Sequence, residues 1–213
     1  MGNKYYEQGN FELETQAFSG TITSPAYTGA VKKWYGLMEI SLEASQDSTS
    51  VSADDDPTYL EMNPPMILEG TIKITGMKVS DYASLFNVRV DNNGMYLFGS
   101  RAQKKVVGLA FKNTGYDDDG VYATNKFIMF RATVTLPPIG TESLNEAGDT
   151  IRDFTLNVKA SHVVYSYTDN NVQKTDTATY GIFNSVTNSA IWDTIKDGIF
   201  APNATLPSQT SVL

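Results

Sequence analysis

The chain contains no cysteine. Disulfides, thiol nucleophiles and cysteine-based metal sites are therefore excluded together. Histidine is nearly absent too, with only His162. Most zinc sites and general-base schemes draw on more than one such group. No apolar run approaches the roughly 18 residues that a membrane-spanning helix needs. The first residues, Met1-Gly2-Asn3-Lys4-Tyr5-Tyr6-Glu7, lack the apolar segment of a signal peptide, so synthesis in a cytoplasm is expected. Positive charge is also scarce: 16 Lys and Arg face 24 Asp and Glu, a net charge of −8. Such a chain repels phosphates, and sequence-specific DNA binding is not expected.

What the sequence does contain is period-two alternation. Met38, Ile40, Leu42 and Ala44 share one face of a strand, and Glu39, Ser41 and Glu43 share the other. Leu68, Gly70, Ile72 and Ile74 alternate with Glu69, Thr71 and Lys73. Ile128, Phe130, Ala132, Val134 and Leu136 alternate with Met129, Arg131, Thr133 and Thr135. Phe154, Leu156, Val158 and Ala160 alternate with Thr155, Asn157 and Lys159. Each reads as a strand with one dry and one wet face, as in an antiparallel sheet. Weaker strands are expected at 11–15, 104–112, 163–167 and 177–183.

Turn residues separate these runs. Asn92-Asn93-Gly94, Asp117-Asp118-Asp119-Gly120 and Asp169-Asn170-Asn171 read as hairpin turns, and Pro137-Pro138 ends a strand. Two short helices are expected. Ser80 caps one that begins at Asp81 and buries Tyr82, Leu85 and Phe86. The other runs from about Thr187 to Asp197, stops at Gly198, and aligns Ala190, Ile191, Ile195 and Ile199. The expected fold is mostly β: an antiparallel β-sandwich of about eight to ten strands with one or two short flanking α-helices. Residues 1–33 read as an N-terminal arm, 34–200 as the sandwich, and 201–213 as an extension.

The segment 46–65 is a long connection between two strong strands. Loops longer than about 12–15 residues are usually functional or disordered. This one carries Asp54-Asp55-Asp56 and then Tyr59, Leu60 and Met62, which a purely solvated loop has little reason to hold. We read them as contacts to something outside the domain.

In this order of features the sequence resembles the major tail tube protein of long, non-contractile-tailed bacteriophages. The resemblance rests on Ser52-Ala53-Asp54-Asp55 in the long loop and on the strand Leu68-Glu69-Gly70-Thr71-Ile72. It rests also on the short helix at Ser80–Phe86, and on Lys105-Val106-Val107-Gly108-Leu109-Ala110-Phe111-Lys112 followed by Phe130-Arg131-Ala132-Thr133-Val134. It covers roughly residues 34–200.

The resemblance implies a β-sandwich subunit, six of which form a ring whose inner strands join into a barrel. Rings stack into a tube in the virion tail, and DNA leaves through the lumen without specific binding. Partners would be further copies of the chain and other tail proteins, such as the tape measure, terminator and distal tail proteins. Asp54, Asp55, Asp56 and Tyr59, with Leu60 and Met62, would lie at ring-to-ring contacts. Glu39, Ser41, Glu43, Glu69, Thr71 and Lys73 would face the lumen. A ring repeats the subunit's charge around the pore, so an acidic lining that repels phosphate is expected.

Asp54–Asp56 and Asp117–Gly120 lack the alternating ligand spacing and closing glutamate of a calcium loop. Glu39 with Glu43 or with Glu69 could form a glycosidase pair, but acidic pairs are common on wet strand faces. His162 follows a strand on its apolar parity, as a structural histidine does, and no nucleophile elbow supports Ser/His/Asp chemistry. The expectation is a non-enzymatic chain without metal or cofactor. The alternative is a carbohydrate-binding or adhesin module, for which twelve tyrosines could supply a platform.

Overall fold

The computed structural model describes residues 5–46, 49–53, 56–62, 64–76, 79–98, 104–117, 120–135 and 154–204. In chain order the strands are β1 (Tyr5–Phe18), β2 (Tyr27–Trp34), β3 (Leu37–Ser45), β4 (Thr49–Ala53), β5 (Asp56–Met62), β6 (Ile67–Ile74) and β7 (Arg89–Val90). They continue as β8 (Tyr96–Leu97), β9 (Val106–Asp117), β10 (Tyr122–Thr135), β11 (Phe154–Ser161), β12 (Val163–Asp169), β13 (Val172–Ala178) and β14 (Tyr180–Asn184). Helix α1 (Val79–Leu85) follows β6, and α2 (Trp192–Ile195) follows a single 3-10 turn, Ser189–Ile191. Among the described residues no helix is long and apolar enough to cross a membrane.

The fold is a mostly β, antiparallel sandwich with short flanking helices. Its main sheet runs β2-β1-β9-β10-β11-β6-β3. The two end strands, β2 and β3, are joined by Tyr35 and Gly36 alone, so the sheet must roll over until its ends meet. Gly36 makes this turn at φ +76, and Thr75 N–H donates to its carbonyl at 2.8 Å. The rolled inner face encloses Leu13, Trp34, Ile72, Leu109, Met129 and Leu156, with Leu85 and Phe86 of the α1 end plugging it. A second cluster on the outer face holds Ala110, Ile128, Phe130 and Val163 under Ile199 of the C-terminal segment.

The second edge of β10 is shared. Residues 125–129 pair with β14, while 131–135 pair with β11. A bulge between Met129 and Ala132 divides the two halves. It shifts the parity expected for this strand. Met129 is fully buried in the inner core rather than wet, and Phe130 belongs to the outer cluster.

Further expectations are corrected. Residues 5–18 and 27–33 do not form an arm: β1 lies between β2 and β9 inside the sheet, with Leu13, Glu14 and Thr15 buried. A bulge between Leu37 and Glu39 puts Leu37 on the inner side and leaves Met38 exposed. Helix α1 already includes Val79 and Ser80, so Ser80 does not cap it from outside. The second expected helix is one 3-10 turn and one α turn, in which Ile195 is buried and Ala190 exposed. The expected strand at 177–183 is broken at Thr179, whose side chain leaves the ladder to donate to Met66 O at 2.6 Å. Leu136, Pro137, Pro138, Asp118 and Asp119 lie outside the described residues.

The connection 46–65 is not structureless. It contains the hairpin β4–β5, which Gln46 Nε2 closes at its base by donating to Pro64 O at 2.8 Å.

Candidate functional site: a charge-paired polar sheet face

Alternation along β3, β6 and β11, and along the last turnless stretch of β10, turns every second side chain outward. Register then aligns these side chains into rows. Glu39 pairs with Lys73, and Lys73 with Thr155. Ser41, Thr71, Asn157 and Thr135 form the next row. Glu43, Glu69, Lys159 and Thr133 form the third. The six residues expected on a wet face, Glu39, Ser41, Glu43, Glu69, Thr71 and Lys73, therefore share one continuous surface.

Two ion pairs form within the rows. Lys73 Nζ donates to Glu39 Oε2, and Lys159 Nζ donates to Glu69 Oε1. Lys104 reaches the same face from the α1 end and donates to Thr135 Oγ1 at 2.9 Å. The face as a whole carries three carboxylates, Glu39, Glu43 and Glu69, and three ammonium groups, Lys73, Lys104 and Lys159. Taken together, these six charged residues balance, and the excess acid of the chain sits elsewhere. Close strand approach holds the face together. A Cβ on Gly70 would meet Ser41 O at 1.9 Å, so only glycine lets β3 and β6 pair this tightly here.

A second polar constellation was not expected. Lys126 and Glu14, both wholly buried, form an ion pair at 2.7 Å. Lys126 also donates to Lys196 O at 3.0 Å and Gly198 O at 2.6 Å, which uses all three ammonium protons. Around them, Lys112 donates to Glu12, and Lys33 pairs with Asp197 at 2.7 Å. Burial pushes the pKa of Lys126 below the usual lysine value, against the pull of Glu14. The hydrogen bond to Asp197 raises Lys33, and the same bond holds Asp197 below the usual aspartate range.

Carboxylate oxygens of Glu12, Glu14 and Asp197 lie within 4.8 Å of one another, a donor set that would suit a divalent cation. Three lysines already neutralise the three carboxylates, so the arrangement is a structural ion network. The sequence marks Lys112 and Lys126 only as single charges next to apolar strand residues, with nothing local to name their partners.

The expected interface residues are divided. Asp54 and Asp55 lie outside the described residues. Asp56, Tyr59, Leu60 and Met62 stand on β5, where Asp56 pairs with Ala53, Leu60 with Val51 and Met62 with Thr49. His162 is half-buried at the junction of β11 and β12. No nucleophile–base–orienter arrangement joins it to a serine among the described hydrogen bonds. What the polar face can do is offer hydroxyls, an amide and matched charges to a hydrated polymer, holding it weakly.

No protein-family model matches this chain, and no curated protein sequence matches it.

Proposed function

We propose that this chain is a structural subunit that polymerises as stacked rings into the tail tube of a bacteriophage, with the β3-β6-β11-β10 polar face lining a conduit for DNA. The observation that carries this reading is the face itself: four strands that present hydroxyls, an amide and three carboxylates balanced in number by three ammonium groups. A conduit for a polyanion must be wettable yet must not grip. The hairpin β4–β5 fits the stacking role, since it departs from the sheet between Ser45 and Ile67 and pairs with no other strand among the described residues. Exposed sheet edges need a partner, and closing a ring supplies one for each subunit. The proposed partners are further copies of this chain and the other tail proteins.

Negative-stain electron microscopy of the concentrated protein, alone and with tail extract from infected cells as initiator, tests this. Hollow tubes of uniform bore are expected. Isolated particles under both conditions would overturn it. Deleting residues 54–59 is expected to keep the far-ultraviolet circular dichroism of the fold and to abolish tubes.

One observation favours a second reading, a glycan-binding module. Tyr165, Tyr180 and Phe200 line a cleft of about 430 Å³ beside the C-terminal segment. A monomer that binds sugars on a glycan array would support that reading.

A further inference from the structure

A shallow groove of about 460 Å³ crosses the polar face. Lys104 and Lys159 line it together with Thr71, Thr133, Thr135 and Asn157. These are the donors that hold phosphate oxygens: two ammonium groups, three hydroxyls and an amide. Nothing in the groove is built for a single enclosed anion. Lys159 and Glu69 are each more than half exposed, at 57% and 54%. The groove is open and continues into the neighbouring rows. Its geometry suits a chain of phosphates passing over it more than one phosphate held in place.

One acidic side chain stands among these donors. Glu69 lines the groove and accepts a hydrogen bond from Lys159 Nζ. Its neighbour across the strand pair is Glu43. A carboxylate here does two things at once. It occupies an ammonium that would otherwise meet a phosphate, and it repels the phosphate directly.

We infer that this groove is a contact site for the phosphodiester backbone of double-stranded DNA, and that Glu69 is the residue that keeps the contact weak. The inference rests on the conduit reading above and names what touches the conduit wall. Removing the Glu69 charge leaves Lys104 and Lys159 lining the groove together with the hydroxyls. One added phosphate contact steepens the salt dependence of log K by about 0.9, which at 50 mM salt corresponds to roughly tenfold tighter binding.

The experiment is fluorescence anisotropy of a labelled 20-base-pair duplex titrated with the full chain between 20 and 200 mM salt. Wild type is expected to bind weakly. Glu69→Gln is expected to bind about tenfold tighter at 50 mM salt, with a steeper salt slope. The gain is expected to disappear in Glu69→Gln combined with Lys104→Ala and Lys159→Ala. Asp193→Asn is the control for lost acidic charge, because Asp193 is 80% exposed and pairs with Lys196 away from this face.

The inference is overturned if Glu69→Gln binds no tighter than Asp193→Asn. It is overturned also if the gain survives loss of both lysines. Inorganic phosphate, added at matched ionic strength, separates the two phosphate sources: if it displaces the duplex from Glu69→Gln at low millimolar concentration, the groove takes a lone phosphate and not a backbone. Circular dichroism of each variant confirms folding, and Glu69→Thr, which also removes the charge, serves if Glu69→Gln does not fold. Tube formation by the same variants is scored separately. Tubes with no DNA effect would sink the groove and keep the conduit, and a DNA effect without tubes would do the reverse.

Discussion

The same two residue types, glutamate and lysine, are paired in two regions of this molecule and do different work in each. Glu14 of β1 and Lys126 of β10 are buried as a pair, and Lys126 also donates to fixed backbone carbonyls of the C-terminal segment. On the polar face, Glu39 with Lys73 and Glu69 with Lys159 stand in solvent. The buried pair gave up its hydration on folding, so each partner depends on the other. The exposed pairs kept most of theirs, and water and salt screen them. Burial turns a charge pair into a clamp on the chain, whereas exposure leaves it as a setting of surface potential.

The largest expected effect breaks the clamp. Lys126→Met leaves Glu14 charged and buried without its closest cation, with Lys112 and Lys33 no nearer than 3.9 Å, and orphans the carbonyls of Lys196 and Gly198. The loss expected in urea unfolding is about 3–5 kcal/mol. The double variant Glu14→Leu/Lys126→Met is expected to recover a large part of it, because no uncompensated charge remains. If Lys126→Met alone costs no more than an exposed pair, burial is not what distinguishes the two regions.

A variant without any change of charge sharpens the comparison. Gly108 lies on β9 beneath Tyr27 and Ile199, and a Cβ there would meet Tyr27 Cε1 at 2.5 Å and Ile199 Cγ2 at 2.7 Å. Tyr27 is held by its own hydrogen bond to Phe130 O at 2.8 Å, so its ring cannot simply swing away. Gly108→Ala is expected to cost about 1–3 kcal/mol by overpacking. It should raise hydrogen exchange in residues 192–200 while leaving β3 and β6 unchanged. Raised exchange across the whole sheet would mean that the C-terminal segment does not open separately.

The two regions also differ in how far the sequence reveals them. The polar face is legible because strands β6 and β11 alternate strictly, and a wet residue every second position is local information. The buried network is not. Glu12-Leu13-Glu14 has the pattern of a wet-faced strand, and Lys112 and Lys126 stand 100 and 112 residues away from Glu12 and Glu14. Only topology brings them together, and a bulge at Glu12, with φ +49, disturbs the register on the way. The parity errors at Met38 and Met129 have the same origin, since one inserted residue moves a side chain to the other face. The hairpin β4–β5 was hidden by its serine and aspartate content, although Val51, Leu60 and Met62 alternate with polar neighbours as strand residues do.

Asp197 lies between the extremes, half exposed and bonded to Lys33. Its lowered pKa gives it a definite pH signature. A carboxylate with a folded-state pKa below its unfolded value, about 3.9, stabilises fully above that value and loses the contribution as pH falls through the folded pKa. Asp197→Asn is therefore expected to cost well under about 1 kcal/mol at pH 7, allowing for screening, and less at pH 2. Urea midpoints at the two pH values measure this. A cost undiminished at pH 2 would assign Asp197 a packing role instead.

The smallest effect belongs to the exposed face. A double-mutant cycle on Glu39→Gln and Lys73→Met is expected to give a coupling of about 0.2–1 kcal/mol. It should vanish in 1 M salt, where the Debye length is about 3 Å. The same cycle on Glu14 and Lys126 should be large and nearly salt-independent, because ions do not enter a buried site. A large, salt-resistant coupling between Glu39 and Lys73 would mean that the face is covered in solution, by another copy of the chain or by another partner. The polar face would then be an interface, and its charges would serve adhesion, which would count against the conduit proposed for it.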